Sequence, residues 1–82
     1  MGGIIFDDLV EILSQFVDLS GINIDENSIL GEDVPVDSSE MLRFLSRVES
    51  RYGIRFNPKD ILGMSTLRDV IDVIRYRTNK KD

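Results

Sequence analysis

The sequence contains no cysteine and no histidine. Without thiols the chain forms no disulfide and no thiolate metal site, and without imidazole it lacks the commonest general base and the usual zinc ligand. Any reactive group that its function needs must come from outside the polypeptide. Lysine and arginine are also missing from residues 1–42, which carry ten acids, while residues 43–82 carry all ten basic residues and five acids. No apolar run approaches the ~20 residues that span a bilayer. The opening Met1-Gly2-Gly3-Ile4-Ile5-Phe6 has neither the basic start of a secretory signal nor the Ser/Thr of a myristoylation motif. A cytoplasmic location with no membrane span is therefore expected.

What is present suffices for one small core. Of the 82 residues 41% are hydrophobic and 30% charged, too apolar for a disordered tail and too short for two cores. A single domain over residues 1–82, monomeric, is expected. The net charge of −5 divides into −10 for the first half and +5 for the second. Such halves attract one another across a fold or leave a polarised surface that steers partners.

Along the chain, Ile5, Leu9, Ile12, Leu13, Phe16 and Val17 recur at three- and four-residue spacing, which predicts an amphipathic helix over 4–17. Asp7, Asp8 and Glu11 are placed near its positive end. Residues 21–36 show glycine, proline and acids without a period and predict a long ordered loop, pinned by Ile22, Ile24, Ile29, Leu30 and Val34. A second helix over 38–52 puts Met41, Phe44, Leu45, Val48 and Tyr52 on one face and Arg43, Arg47 and Arg51 on another, with Gly53 as its left-handed stop. Asn57-Pro58 starts a short third helix that ends near Leu62. Ser65-Thr66 followed by Asp69 starts a last helix with Leu67, Val70, Ile71 and Ile74 buried, and a tail over 78–82 is expected to fray. The fold class is all-α, a bundle of three main helices and one short one with a long loop between the first two.

The stretch Val36-Asp37-Ser38-Ser39-Glu40 carries the functional question. Asp37 with Glu40 three residues on fits a capping box, yet Ser38 or Ser39 would cap equally well, so one helix start holds three candidate caps. A helix start is also where backbone N–H groups and the dipole favour a phosphate. Ser38 is either a cap or a residue that is chemically used.

The order of features resembles the acyl carrier protein family: a helix, a long acidic loop, Asp37-Ser38 opening a second helix, Val48-Glu49, Tyr52-Gly53-Ile54-Arg55-Phe56, a short helix, then Ser65-Thr66-Leu67-Arg68-Asp69-Val70. The likeness covers about residues 4–77. It implies that Ser38 is the attachment point of 4′-phosphopantetheine, transferred from coenzyme A by a phosphopantetheinyl transferase. Asp37 matches the family's preceding aspartate, which helps engage magnesium in the transferase complex. The arm's thiol would hold an acyl or biosynthetic intermediate as a thioester for acyl-loading, synthase or acyltransferase enzymes of fatty-acid, polyketide or related lipid biosynthesis, so the missing cysteine belongs to the prosthetic group. On the same likeness, Phe44, Leu45, Val48, Ile61, Leu67 and Ile71 are candidates to line an acyl pocket. Ser39, Glu40, Arg43, Arg47 and Arg51 are candidates to meet partners. Where the family reads Gly-x-Asp-Ser-Leu, this chain reads Pro35-Val36-Asp37-Ser38-Ser39, and the second helix carries an arginine row where typical fatty-acid carriers present acids.

The alternative is an unmodified carrier-like protein-interaction module, to which the polar Ser39 lends support. Nucleic acid is not expected as a partner, because the acids of the first half oppose phosphate and aromatic stackers are few. No enzyme activity and no catalytic residue are expected, since no nucleophile-base pair is visible. No metal site is expected either: Asp25 to Val36 is only superficially like a calcium loop, with Gly31 at its seventh place and Val36 at its twelfth.

Overall fold

The computed structural model describes residues 3–79, with side chains from 5 to 78. Four helices are present: α1 (Gly3–Leu13), α2 (Ser38–Tyr52), α3 (Pro58–Leu62) and α4 (Leu67–Asn79). No strand occurs among the described residues. Two isolated bridges, Ile29 opposite Thr66 and Leu30 beside Val34, are the only extended pairing there. No described helix is long and apolar enough to cross a membrane.

The helical period puts one stripe of each long helix into a common core. Leu9, Ile12 and Leu13 of α1, Phe44, Leu45 and Val48 of α2, and Leu67, Val70, Ile71 and Ile74 of α4 are buried together with Val34 and Phe56. α1 packs on both α2 and α4. The Cα radius of gyration is 11.9 Å, close to the ~12 Å of a folded chain of this length.

α1 is shorter than its apolar period predicts. After Leu13 the backbone tightens: Gln15 N–H donates to Ile12 O and Phe16 N–H to Leu13 O, three residues back. The Ser14 hydroxyl meanwhile takes the Glu11 carbonyl at 2.6 Å. Phe16 still packs against the core, so the period there marks burial without marking helix. α1 carries no acid in its first turn; Asp8 and Glu11 instead meet Arg51 of α2 at 3.2 and 3.3 Å.

The other boundaries follow local chemistry. Gly53, at φ 65°, closes α2 and its N–H donates to Glu49 O, a left-handed stop that a side chain would strain. Asn57 caps α3, with Pro58 in its first turn and Asp60 completing the box. The tail expected to fray is helical through Asn79, where the Thr78 hydroxyl donates to Ile74 O and Arg75 O. The rest of that expectation, residues 80–82, lies outside the described residues.

The long loop is anchored chiefly by backbone bonds to the start of α4. Leu30 N–H donates to Ser65 O and Arg68 N–H to Glu26 O, both at 2.8 Å. Val34 is fully buried, Ile24 and Leu30 pack against the core, and Ile29 is left partly exposed. Gly31, at φ 95°, allows a tight reversal in which the N–H groups of Glu32, Asp33 and Val34 all turn to Ile29 O. The chain is thereby returned to Val36 and the start of α2.

Candidate functional site

The structure resolves which residue caps α2. Asp37 is extended, at φ −91° and ψ −179°, and its Oδ1 accepts from Glu40 N–H at 2.8 Å. Glu40 Oε1 accepts from Asp37 N–H at 3.0 Å in return. This reciprocal box satisfies the helix end. Ser38 and Ser39 follow as the first two helical residues, both exposed, and among the described residues their hydroxyls make no hydrogen bond. Ser38 is therefore free for other use. The cap takes only Asp37 Oδ1, and Oδ2 has no partner among the described residues.

Beside Ser38 lies an open cleft of about 240 Å³, walled by Leu30, Val36, Met41, Ile61 and Met64 with Asp37 and Ser38 at its rim. Three segments meet there: the loop before α2, the first turn of α2, and α3 with the residues after it. Its two methionines are adaptable linings. Asp60, which caps α3, is also ion-paired to Arg77 of α4, so the wall that holds Ile61 is tied to the bundle.

Of the six residues predicted to line an acyl pocket, Ile61 reaches this cleft. Phe44, Leu45, Val48, Leu67 and Ile71 are closed core, each 3% exposed or less. Leu30, Val36, Met41 and Met64 were not among the candidates. Met41 had a signal in the apolar face of the second helix; the other three sit on segments without a period.

The partner candidates divide. Glu40 is held in the cap. Arg51 is neutralised by Asp8 and Glu11. Arg47 donates to the Gln15 side-chain oxygen at 3.0 Å and stands 5.8 Å from the Phe16 ring centroid, within cation–π range. Arg43 is exposed and has no hydrogen-bond or ion-pair partner among the described residues.

Two further groups hold the scaffold around the site. The Tyr52 hydroxyl donates to Asp8 Oδ2, and burial, then this bond, push the phenol up to about 12. Asp69 accepts from Ser65 N–H at 2.8 Å and Thr66 N–H at 3.0 Å, which holds its carboxyl below the usual carboxylate value. That carboxylate completes the cap of α4 where the long loop attaches.

With this geometry in view, a family model described as "Phosphopantetheine attachment site" matches residues 7–74. No curated protein matches the chain.

Proposed function

The chain belongs to the phosphopantetheine-attachment family, a family of carriers that bear a 4′-phosphopantetheine group, and from this premise we propose that Ser38 is the residue that bears it here. One observation carries the reading. At a helix start that offers three candidate caps, Asp37 does the capping and leaves the Ser38 hydroxyl exposed and without a bond among the described residues. The residues fit the group. The first-turn N–H groups of Ser38 and Ser39 favour a phosphate at that end of α2, and the neighbouring cleft offers apolar walls to whatever extends from it.

In the attachment step the Ser38 Oγ forms the new P–O bond. The pyrophosphate link of coenzyme A breaks, its nucleotide part leaves, and the serine proton passes to a base on the transferase. Asp37, whose Oδ2 has no partner among the described residues, would take the magnesium-facing role. When bound, the group supplies a terminal thiol that holds an acyl unit as a thioester. The chain supplies attachment, orientation and partner recognition, as one domain that performs no catalysis itself.

We place this carrier in the cytoplasm, as a monomer serving acyl-loading, synthase or acyltransferase enzymes of fatty-acid, polyketide or related lipid biosynthesis. The test uses a fluorescent coenzyme A analogue, magnesium and a broad-specificity phosphopantetheinyl transferase on wild type, Ser38→Ala and Ser39→Ala. Label on wild type and Ser39→Ala with none on Ser38→Ala is expected. Equal labelling of Ser38→Ala would move the site elsewhere, and failure of every transferase tried would leave an unmodified interaction module.

A further inference from the structure

A second cleft, of about 400 Å³, lies where the last turns of α2 and α4 meet, walled by Tyr52, Gly53, Ile54, Arg55, Arg77 and Thr78. The 15 residues of α2 place Ser38 and Tyr52 about 21 Å apart along the helix axis, so this cleft is no part of the carrier site. Its volume falls within the range of small-molecule pockets, about 300–1,000 Å³. Tyr52 and Ile54 are both half-buried, and the Tyr52 hydroxyl is taken by Asp8, which leaves the ring and the Ile54 side chain as its apolar material.

Two arginines share the cleft, and the fold uses neither fully. Arg55 is exposed and has no hydrogen-bond or ion-pair partner among the described residues. Arg77 is half-buried. Its Nη2 donates to Asp60 Oδ2, an oxygen that also accepts from Asn57 N–H, while its Nε is buried without an acceptor. Closed to water, that N–H lacks what nearly every buried donor has, and a guanidinium tied at one nitrogen keeps donors for a second acceptor. The nearby acids are engaged: Asp60 in this pair and Glu49 with Phe56 N–H at 2.7 Å. Helix C-termini oppose an anion, yet here their carbonyls are partly satisfied, Glu49 O by Gly53 and Ile54 N–H and Ile74 O and Arg75 O by the Thr78 hydroxyl.

We propose that this cleft binds a small monocarboxylate with an apolar body, the carboxylate held between Arg55 and Arg77 and the body against Tyr52 and Ile54. The charge class follows from the balance of the walls. Asp60 offsets Arg77, so Arg55 leaves one net positive charge, which a monoanion matches and a phosphate dianion exceeds. A planar carboxylate also fits the guanidinium fork. A slight turn of Arg77 toward such an acceptor gives its buried Nε–H the partner that it lacks. Occupancy of this cleft is independent of whether Ser38 is modified.

The test is a titration of the full ¹⁵N-labelled chain with benzoate at constant ionic strength, followed by the backbone amides and the arginine Nε–H signals, with benzamide and inorganic phosphate as parallel probes. Benzoate should give saturable shifts at residues 53–55 and 77–78 and at the Nε–H of Arg55 and Arg77, with none at residues 38–41. Arg55→Gln should weaken binding about tenfold, the worth of a charged hydrogen bond, with an unchanged melting temperature. Arg77→Lys should weaken it too, and because it also disturbs the tie to Asp60 its melting temperature is measured alongside. Benzamide, the same shape without the charge, should leave the cleft signals in place. Benzoate shifts that never saturate, or that spread equally to Arg43, overturn the site. So does an Arg55→Gln chain that binds benzoate as the wild type does. A response to benzamide or to inorganic phosphate as strong as that to benzoate overturns the assigned class of ligand.

Discussion

Replacing Asp37 with alanine removes the side-chain half of the α2 capping box, the bond from Glu40 N–H to Asp37 Oδ1 at 2.8 Å. Loss of such a cap costs about 1 kcal/mol, within a range of about 0.5–2. In a domain of this size that lowers the melting temperature by about 4–8 °C. Asn at the same position caps as well as Asp and gives up only the charge on the helix dipole, about 0.3 kcal/mol at an exposed site. Ser38→Ala removes a hydroxyl that has no partner among the described residues, so its effect should stay within the ±0.5 kcal/mol of an ordinary surface change. Urea unfolding followed by circular dichroism ranks the three variants: Asp37→Ala clearly weakened, Asp37→Asn and Ser38→Ala near wild type. The transferase assay should rank them differently, with Ser38→Ala inactive and Asp37→Asn slowed despite its stability. If Ser38→Ala proves as unstable as Asp37→Ala, Ser38 is a cap and the reasoning that frees it for chemistry is wrong.

Phe44→Ala opens a cavity at a fully buried position and should cost about 3–5 kcal/mol, a large part of a total of roughly 5–15, and so lower the melting temperature by more than about 10 °C; a melting curve like that of the wild type would contradict the packing described. Tyr52 titrates near 12 in the folded chain against an ordinary value of 10, so the fold's preference for the protonated phenol is complete below about pH 10 and lost as pH climbs toward 12. Wild type should therefore lose more stability between pH 9 and 11.5 than Tyr52→Phe, and parallel pH profiles would count against the Asp8 bond. Asp69 has the opposite sense. Its lowered value means that its contribution is present above the ordinary carboxylate value and disappears as pH falls through the folded one. Asp69→Asn should thus flatten the stability profile on its acid side, as pH falls below the ordinary carboxylate value, and an unchanged slope there would show that the carboxylate does not hold the α4 start.

The starts of α2 and α3 and the end of α2 were legible because they depend on side chains within a few residues of the backbone they satisfy: Asp37 with Glu40, Asn57 with Asp60, and Gly53 in the left-handed region. The end of α1 was not, because apolar spacing reports which side faces the core and is blind to the three-residue bonds of Gln15 and Phe16 that interrupt the helix after Leu13. The same blindness affects the cleft. Periodicity marked Phe44, Leu45, Val48, Leu67 and Ile71 as inward, and they are, in closed packing. The looser seam beside Ser38 is built from Leu30, Val36 and Met64 as well as Met41 and Ile61, and three of these sit where no period exists. The arginine row was visible as spacing, whereas its division required contacts across the fold. Arg51 finds Asp8 and Glu11 some forty positions earlier, and nothing local distinguishes it from Arg43. The charge asymmetry between the halves is thus used partly inside the fold, at Arg51 and in the Arg68–Glu26 pair, and partly left on the surface.

The central claim is that Ser38 carries the prosthetic group. Its most direct test is the intact mass of wild-type chain and Ser38→Ala, each co-expressed with a phosphopantetheinyl transferase, followed by peptide mapping of any modified species. The account predicts one phosphopantetheine per wild-type chain, mapped to Ser38, and an unmodified Ser38→Ala. A wild type that stays unmodified, or a group that persists on Ser39 when Ser38 is alanine, would contradict it.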